Sequence, residues 1–259
     1  MKKLIAILAA VLLVVAVSAF AEDDALAKIQ QRGTLIIATE GNWSPWTYHD
    51  ENDVLTGLDV EIGTLIAHGI GVEPEFQETD WDAILAGVDS GRFDIACNGV
   101  GYTEARAEKY SFSTPYVYTH KVLVVRDDNE DIKTVADLSG KTTANSPSST
   151  YAQLAEDAGA TVTYVSTLVE TITLLEQGRV DATINAQGSI EDYLKEHPEA
   201  KIKIVEVLEG DPVAYPVRKG EDTETLVAAI NEILETARQD GTLAAISEKF
   251  FDKDLTKPE

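Results

Sequence analysis

Residues 81–101 read WDAILAGVDSGRFDIACNGVG, and residues 168–188 read LVETITLLEQGRVDATINAQG. Laid one on the other, they match Gly91 with Gly178, Arg92 with Arg179 and Asp94 with Asp181. Asn98 then falls on Asn185, and Gly101 on Gly188. Each copy is an apolar-periodic stretch, a Gly-Arg break and a short apolar run ending in Asn. That order predicts helix, turn, strand and loop. Two copies this far apart do not make a solenoid; they predict two similar α/β lobes. Ligands in open α/β sheets bind beyond the carboxyl ends of strands. Asn98–Gly101 and Asn185–Gly188 are therefore expected on facing rims.

The flanking chain extends the alternation. Thr34–Ala38 predicts a first strand, Leu58–His68 a helix and Val72–Gln77 a second strand. Thr79 is expected to cap the helix of the first copy, and Thr103 opens a short polar helix. Lys121–Arg126 (KVLVVR) and Lys141–Ala144 read as strands, and Thr150 with Gln153 as a capping box opening a helix through Ala158. Thr161–Val165, Ser189–Glu196 and Ile202–Val207 continue the second lobe, and Val213–Arg218 (VAYPVR) echoes KVLVVR. Helices over Thr223–Gln239 and Gly241–Phe251 close the chain. Such alternation favours mostly parallel sheets flanked by helices. The strands ending at Arg126 and Arg218 bracket the second copy. The chain is thus expected to build a first lobe over 22–121, a second over 122–213, and to return over 214–259, with two crossover strands as hinge.

Lys2 and Lys3, an apolar run from Leu4 to Val17 and the small-x-small site Ala19-Phe20-Ala21 make residues 1–21 a secretory signal peptide, cleaved near Ala21. The full chain carries a net charge of −24, and losing two lysines makes the mature chain more negative still. That charge argues against nucleic acid or anionic lipid as partner. Cys97 is the only cysteine and, within FDIACN, is expected at a buried strand position. His49, His68, His120 and His197 are dispersed without metal-ligand spacing, so no metal and no cofactor is expected. No Gly-x-Ser-x-Gly elbow is present, and Gly99-Val100-Gly101 lacks the third glycine of a dinucleotide loop.

An ordered set of motifs carries a family resemblance. It runs through Ala38-Thr39-Glu40-Gly41-Asn42-Trp43-Ser44-Pro45-Trp46, Gly57-Leu58-Asp59-Val60-Glu61 and Gly91-Arg92-Phe93-Asp94. Thr103-Glu104-Ala105-Arg106, Phe112-Ser113-Thr114-Pro115-Tyr116, Asp137-Leu138-Ser139-Gly140-Lys141, Arg218-Lys219-Gly220 and Asp240-Gly241-Thr242-Leu243 follow. From Gly33 to Asp252 the chain resembles the bacterial extracellular solute-binding proteins of the polar amino-acid type, family 3, loosely nearest the cystine-binding branch. The resemblance implies a two-lobed, type II periplasmic-binding-protein-like α/β fold and a monomer in the periplasm. It would trap an amino acid between its lobes by hinge closure and deliver it to an ABC importer's permease.

The resemblance also assigns roles. Arg106 would clamp the α-carboxylate, which suits the bidentate geometry of guanidinium; as a surface helix residue it would instead pair with Glu104 or Glu108. Ser149 and Thr150 would add carboxylate contacts at a helix N-terminus. Trp43 and Trp46 would cover the ligand's side chain, with Trp81 a further contact, and Glu40 would reach its distal end. Asn98, Gly99 and Gly101 would offer rim hydrogen bonds. Two positions depart from the pattern: Gly101 replaces the common Ser or Thr, and Ala186 replaces the Asp that balances the ammonium. Gln187, helped by backbone carbonyls near Asn98, is the expected stand-in. Two other classes compete with the binding protein. One is an exported cyclohexadienyl dehydratase with Glu40 as its acid; the other is a receptor's sensing domain, disfavoured because no hydrophobic span follows Lys257.

Overall fold

The computed structural model describes residues 24–258, so the expected signal segment lies outside the described residues. Helix α1 (Ala25–Arg32) leads into strand β1 (Thr34–Thr39). Strands β2 (Asn42–Trp43), β3 (Thr47–His49) and β4 (Leu55–Thr56) form a small antiparallel sheet. Helix α2 (Leu58–Gly69), β5 (Glu73–Glu78), α3 (Trp81–Asp89), β6 (Ile95–Ala96), α4 (Glu104–Ala107) and β7 (Tyr110–Phe112) follow. The chain then leaves along β8 (Val117–Arg126) to β9 (Thr142–Asn145), α5 (Thr150–Asp157), β10 (Thr161–Tyr164) and α6 (Leu168–Glu176). After β11 (Ala182–Ala186) and α7 (Gln187–Glu196) it returns along β12 (Ile202–Val213) to β13 (Pro216–Arg218), α8 (Glu224–Gln239) and α9 (Thr242–Phe251).

Two five-stranded sheets result, β5-β1-β6-β13-β7 and β10-β9-β11-β8-β12. They share one plan. In each, the first three strands are parallel and the fourth, β13 or β8, runs antiparallel to both neighbours. The expected parallel character therefore holds for strand direction, while the ladders divide evenly between parallel and antiparallel.

The duplicated stretch has a physical cause. Gly91 and Gly178 end their helices at φ 71° and 66°, a left-handed turn that costs glycine little. Three residues on, the carboxylate of Asp94 accepts from Ile36 N at 2.7 Å, and that of Asp181 accepts from Thr142 N at 2.8 Å. Each aspartate thereby satisfies a backbone donor of the neighbouring strand and fixes where the new strand enters its sheet.

Both faces of each sheet are covered, which is why the strands read as continuous apolar runs. On β8, Val122 and Val124 pack with Ile172 and Leu175, while Leu123 and Val125 pack with Leu138 and Ile184. On β1, Leu35 and Ile37 face Ile62, Ile230 and Leu234, and Ala38 faces Ile84 on the other side. Cys97 is fully buried in the first core, as expected, but it lies one residue past the end of β6 rather than in a strand.

The long strands β8 and β12 run from one core into the other. Val117 and Val213 are paired and belong to the first core; Val122 and Ile202 belong to the second. Val213–Arg218, expected as one crossover strand, is divided: Val213 ends β12, and Pro216–Arg218 lies in the first sheet. The N-cap of α3 is Asp80 rather than Thr79. That of α5 is Ser149 rather than Thr150, its hydroxyl accepting from Ala152 N at 3.1 Å.

Candidate ligand cleft

The carboxyl ends of β1 and β6 face the ends of β9 and β11 across a cleft with about 770 Å³ of empty space, its open mouth included. Of the candidate residues named from the sequence, Glu40, Trp43, Trp81, Gly99, Gly101, Arg106, Ser149 and Thr150 line it. Trp46, Asn98 and Gln187 do not.

Arg106 sits on α4, a helix of one turn capped by Thr103, whose hydroxyl accepts from Arg106 N at 3.1 Å. Its Nη1 donates to Gly101 O at 2.9 Å, and its Nη2 donates across the cleft to Ser148 O at 3.3 Å. The guanidinium also lies 5.5 Å from the Trp81 ring centre, a cation–π stack that fixes its plane. Neither Glu104 nor Glu108 pairs with it, and it has no carboxylate partner among the described residues. Burial lowers its pKa, because desolvation disfavours the charged form. Opposite lies the N-terminus of α5, where Ser149 and Thr150 present the first amides of the helix and the positive end of its dipole. A second link crosses the cleft there: Ser148 N and its hydroxyl both donate to Asp82 Oδ1, the amide at 3.1 Å.

Trp46 is fully buried and acts from behind. Its ring stacks on Trp43 at 5.4 Å and meets Phe251 edge-on at 5.0 Å, so it supports the wall that Trp43 presents. Gly99 has φ 57°, and a Cβ there would come 2.7 Å from the Trp43 ring; only glycine lets the rim and the indole approach.

Asn98 is likewise fully buried and holds Glu40 with both ends of its amide. Its Oδ1 accepts from Glu40 N at 2.8 Å, and its Nδ2 donates to Glu40 Oε2 at 2.6 Å. Burial raises the Glu40 carboxyl from an ordinary 4.5 to about 7, with Asp80 and Asp82 pushing the same way and the Asn98 hydrogen bond opposing. The folded protein therefore keeps a proton between these values that the unfolded chain has released. Stability should fall as pH rises through this window and level off above about 7. Asp59, raised by burial from 3.8 to about 6, adds a slope of the same sign. Glu40→Gln should flatten the upper part of the profile of Tm against pH; an unchanged profile would show that Glu40 titrates normally.

Gln187 corrects the reading of the ammonium site. It opens α7, and its amide Nε2 donates to Glu191 Oε1 at 2.6 Å, outside the cleft. Ala186 is fully buried. Among the lining residues that the sequence reading missed are Tyr151, Asn145, Lys121 and Asp211. Lys121 is ion-paired with Asp211. Tyr151 was within reach, being the next residue after Ser149-Thr150. Asp211, in Gly210-Asp211-Pro212, reads as a surface turn, and nothing local signals that it meets Lys121.

Two sheets, two crossover strands and a cleft walled by both lobes define a two-lobed solute-binding protein. Residues 35–253 match the family described as bacterial extracellular solute-binding proteins, family 3, and the chain belongs to it. It is 39% identical over 260 residues to a probable amino-acid ABC transporter-binding protein of Haemophilus influenzae, covering 99% of this chain and 100% of that one. It is 41% identical over 238 residues to the L-cystine-binding protein TcyA of Bacillus subtilis, covering 91% and 88%. Among solved structures, an ancestral arginine-binding protein bound to arginine superposes with a TM-score of 0.79 at 36% identity, covering 85% of this chain and 99% of that one. The L-cystine solute receptor of Neisseria gonorrhoeae, in an unliganded open conformation, gives 0.59 at 38% identity, covering 90% and 99%. The chain thus superposes better on the arginine-bound structure than on the open one, and two hydrogen-bonded links cross its cleft.

Proposed function

We propose that the protein captures a free amino acid between its lobes and presents it to the membrane permease of an ABC importer. The observation that carries this reading is Arg106: a desolvated cation with no carboxylate partner, facing a helix N-terminus across a cleft. Such a pair of groups calls for an anion, and a planar carboxylate suits the guanidinium fork. Relatives named for binding amino acids or L-cystine support the ligand class. They also favour a binding protein over a dehydratase. The first lobe would comprise 22–121 and 214–259, the second 122–213, with bending where β8 and β12 pass between the cores. Export directed by 1–21 and a monomeric state complete the proposal.

Ligand that binds only the folded protein raises its stability, by about 2.7 kcal/mol at a hundredfold excess over Kd. A thermal-shift screen of the twenty common amino acids, L-cystine and prephenate should give its largest shift with an amino acid. A shift with prephenate alone would replace this function by the enzymatic one. Small-angle scattering should show no expansion on binding, and compaction if the free protein spends time open.

A further inference from the structure

The acid that an amino-acid ligand requires does not come from the end of β11. Ala186 there is paired directly with Lys121 on the antiparallel strand β8. Directly opposed residues of such a pair set their side chains side by side, so the small methyl of Ala186 stands beside the Lys121 chain. The Lys121 ammonium turns to Asp211 on β12, and both residues line the cleft, their side chains 18% and 34% exposed. Oδ2 of Asp211 accepts from the Lys121 ammonium, while no hydrogen bond reaches its Oδ1 among the described residues.

Asp211 is also tied to the carboxylate clamp. Arg106 Nη1 donates to Gly101 O at 2.9 Å, and Gly101 is bridged to Val213. Next to it, Tyr102 N donates to Pro212 O at 2.8 Å. Residues 211 and 213 share one face of their strand, so Asp211 follows Val213 along the wall on which Arg106 is anchored. Asp211, Arg106, Glu40 and Tyr151 all line the same cleft.

We infer that Asp211 is the seat of the ligand's α-ammonium and that Lys121 is its resident counter-ion, so that the cleft selects zwitterionic α-amino acids. This rests on the amino-acid reading of the cleft. Without ligand, Lys121 keeps the Asp211 carboxylate from lying unpaired in a partly dry site. A zwitterion brings an anion to Arg106 and a cation to Asp211, and so leaves the net charge of the cleft unchanged. A ligand lacking the ammonium gains only the first contact.

The test measures binding of two probe pairs by calorimetry: L-cystine against 3,3′-dithiodipropionate, and L-arginine against 5-guanidinovalerate. Each second compound is the first without its α-ammonium. The wild type should prefer the amino form of at least one pair. In Asp211→Asn that form should lose about 30-fold or more in affinity, with its des-amino partner changing by less than about 3-fold. The double variant Lys121→Met/Asp211→Asn, which leaves no lone lysine in the cleft, should lose the same preference. Lys121→Met alone should keep it. Retention of the wild-type ratio in Asp211→Asn and in the double variant overturns the assignment, as does an equal loss for both members of a pair. A wild type that binds neither pair, and no amino acid in the thermal screen, overturns the function itself and this inference with it.

Discussion

Replacing Arg106 by alanine is expected to weaken binding of the cognate amino acid by about 100-fold or more, while the Tm of the free protein stays level or rises slightly. The two effects have one origin. Arg106 is charged, desolvated and without a carboxylate partner among the described residues, so it contributes little to folding; on the proposed function its main interaction is kept for the ligand. Removing one partner of a buried charge pair costs several kcal/mol because the other is left uncompensated, here the ligand carboxylate. Arg106→Lys should recover little, since a point charge can neither fork onto two oxygens nor lie flat on Trp81. Calorimetry decides: an unchanged Kd in Arg106→Ala removes this residue from the site, and a large fall in Tm would make its role structural.

The second large effect concerns stability. Asp59 is fully buried and accepts from Tyr116 Oη at 2.6 Å, from Tyr215 Oη at 3.0 Å and from Gly99 N. The two tyrosine rings stack at 4.1 Å. Tyr116 immediately precedes β8, and Tyr215 lies between β12 and β13, so one carboxylate ties both crossings and the cleft rim to α2. Asp59→Ala would leave three buried donors without an acceptor, a loss of about 3–5 kcal/mol. For a chain of this size the Tm should drop by about 6 °C or more. Asp59→Asn should be milder, because it keeps an acceptor for the tyrosines and sets a donor against Gly99 N. A Tm within about 2 °C of wild type in Asp59→Ala would mean that water replaces the carboxylate.

What could be read in the sequence was local or repeated. The two lobes were visible because Asp94 and Asp181 perform the same backbone task after the same glycine turn, and equal tasks leave equal residues. Arg106 was visible within its Thr-Glu-Ala-Arg motif. Strands β2 to β4 were not, since two or three residues are too few to establish an alternation. The far half of β12 was hidden by register shifts between Ile204 and Glu206 and between Val207 and Gly210, which break its period and make Glu209-Gly210-Asp211-Pro212 look like a turn. Gln187 misled for a related reason. Its nearness to Ala186 along the chain said nothing of the strand laid against Ala186, and that strand carries Lys121. Pairing across a ladder is not a property of either segment alone.

The insertion of one lobe within the other sets an order of assembly. The five strands of the second sheet lie within one unbroken stretch, 117–213, and their ladder can close as soon as that stretch is available. The first sheet cannot, for β13 occupies the place between β6 and β7, and it is the last strand in the chain. A chain growing from its N-terminus must therefore hold β1, β5, β6 and β7 incomplete, with a gap inside the sheet, until the segment between β7 and β13 has been made. The early half is thus the late-maturing half, and its unpaired inner edges are the part of this protein most in need of protection before synthesis is finished.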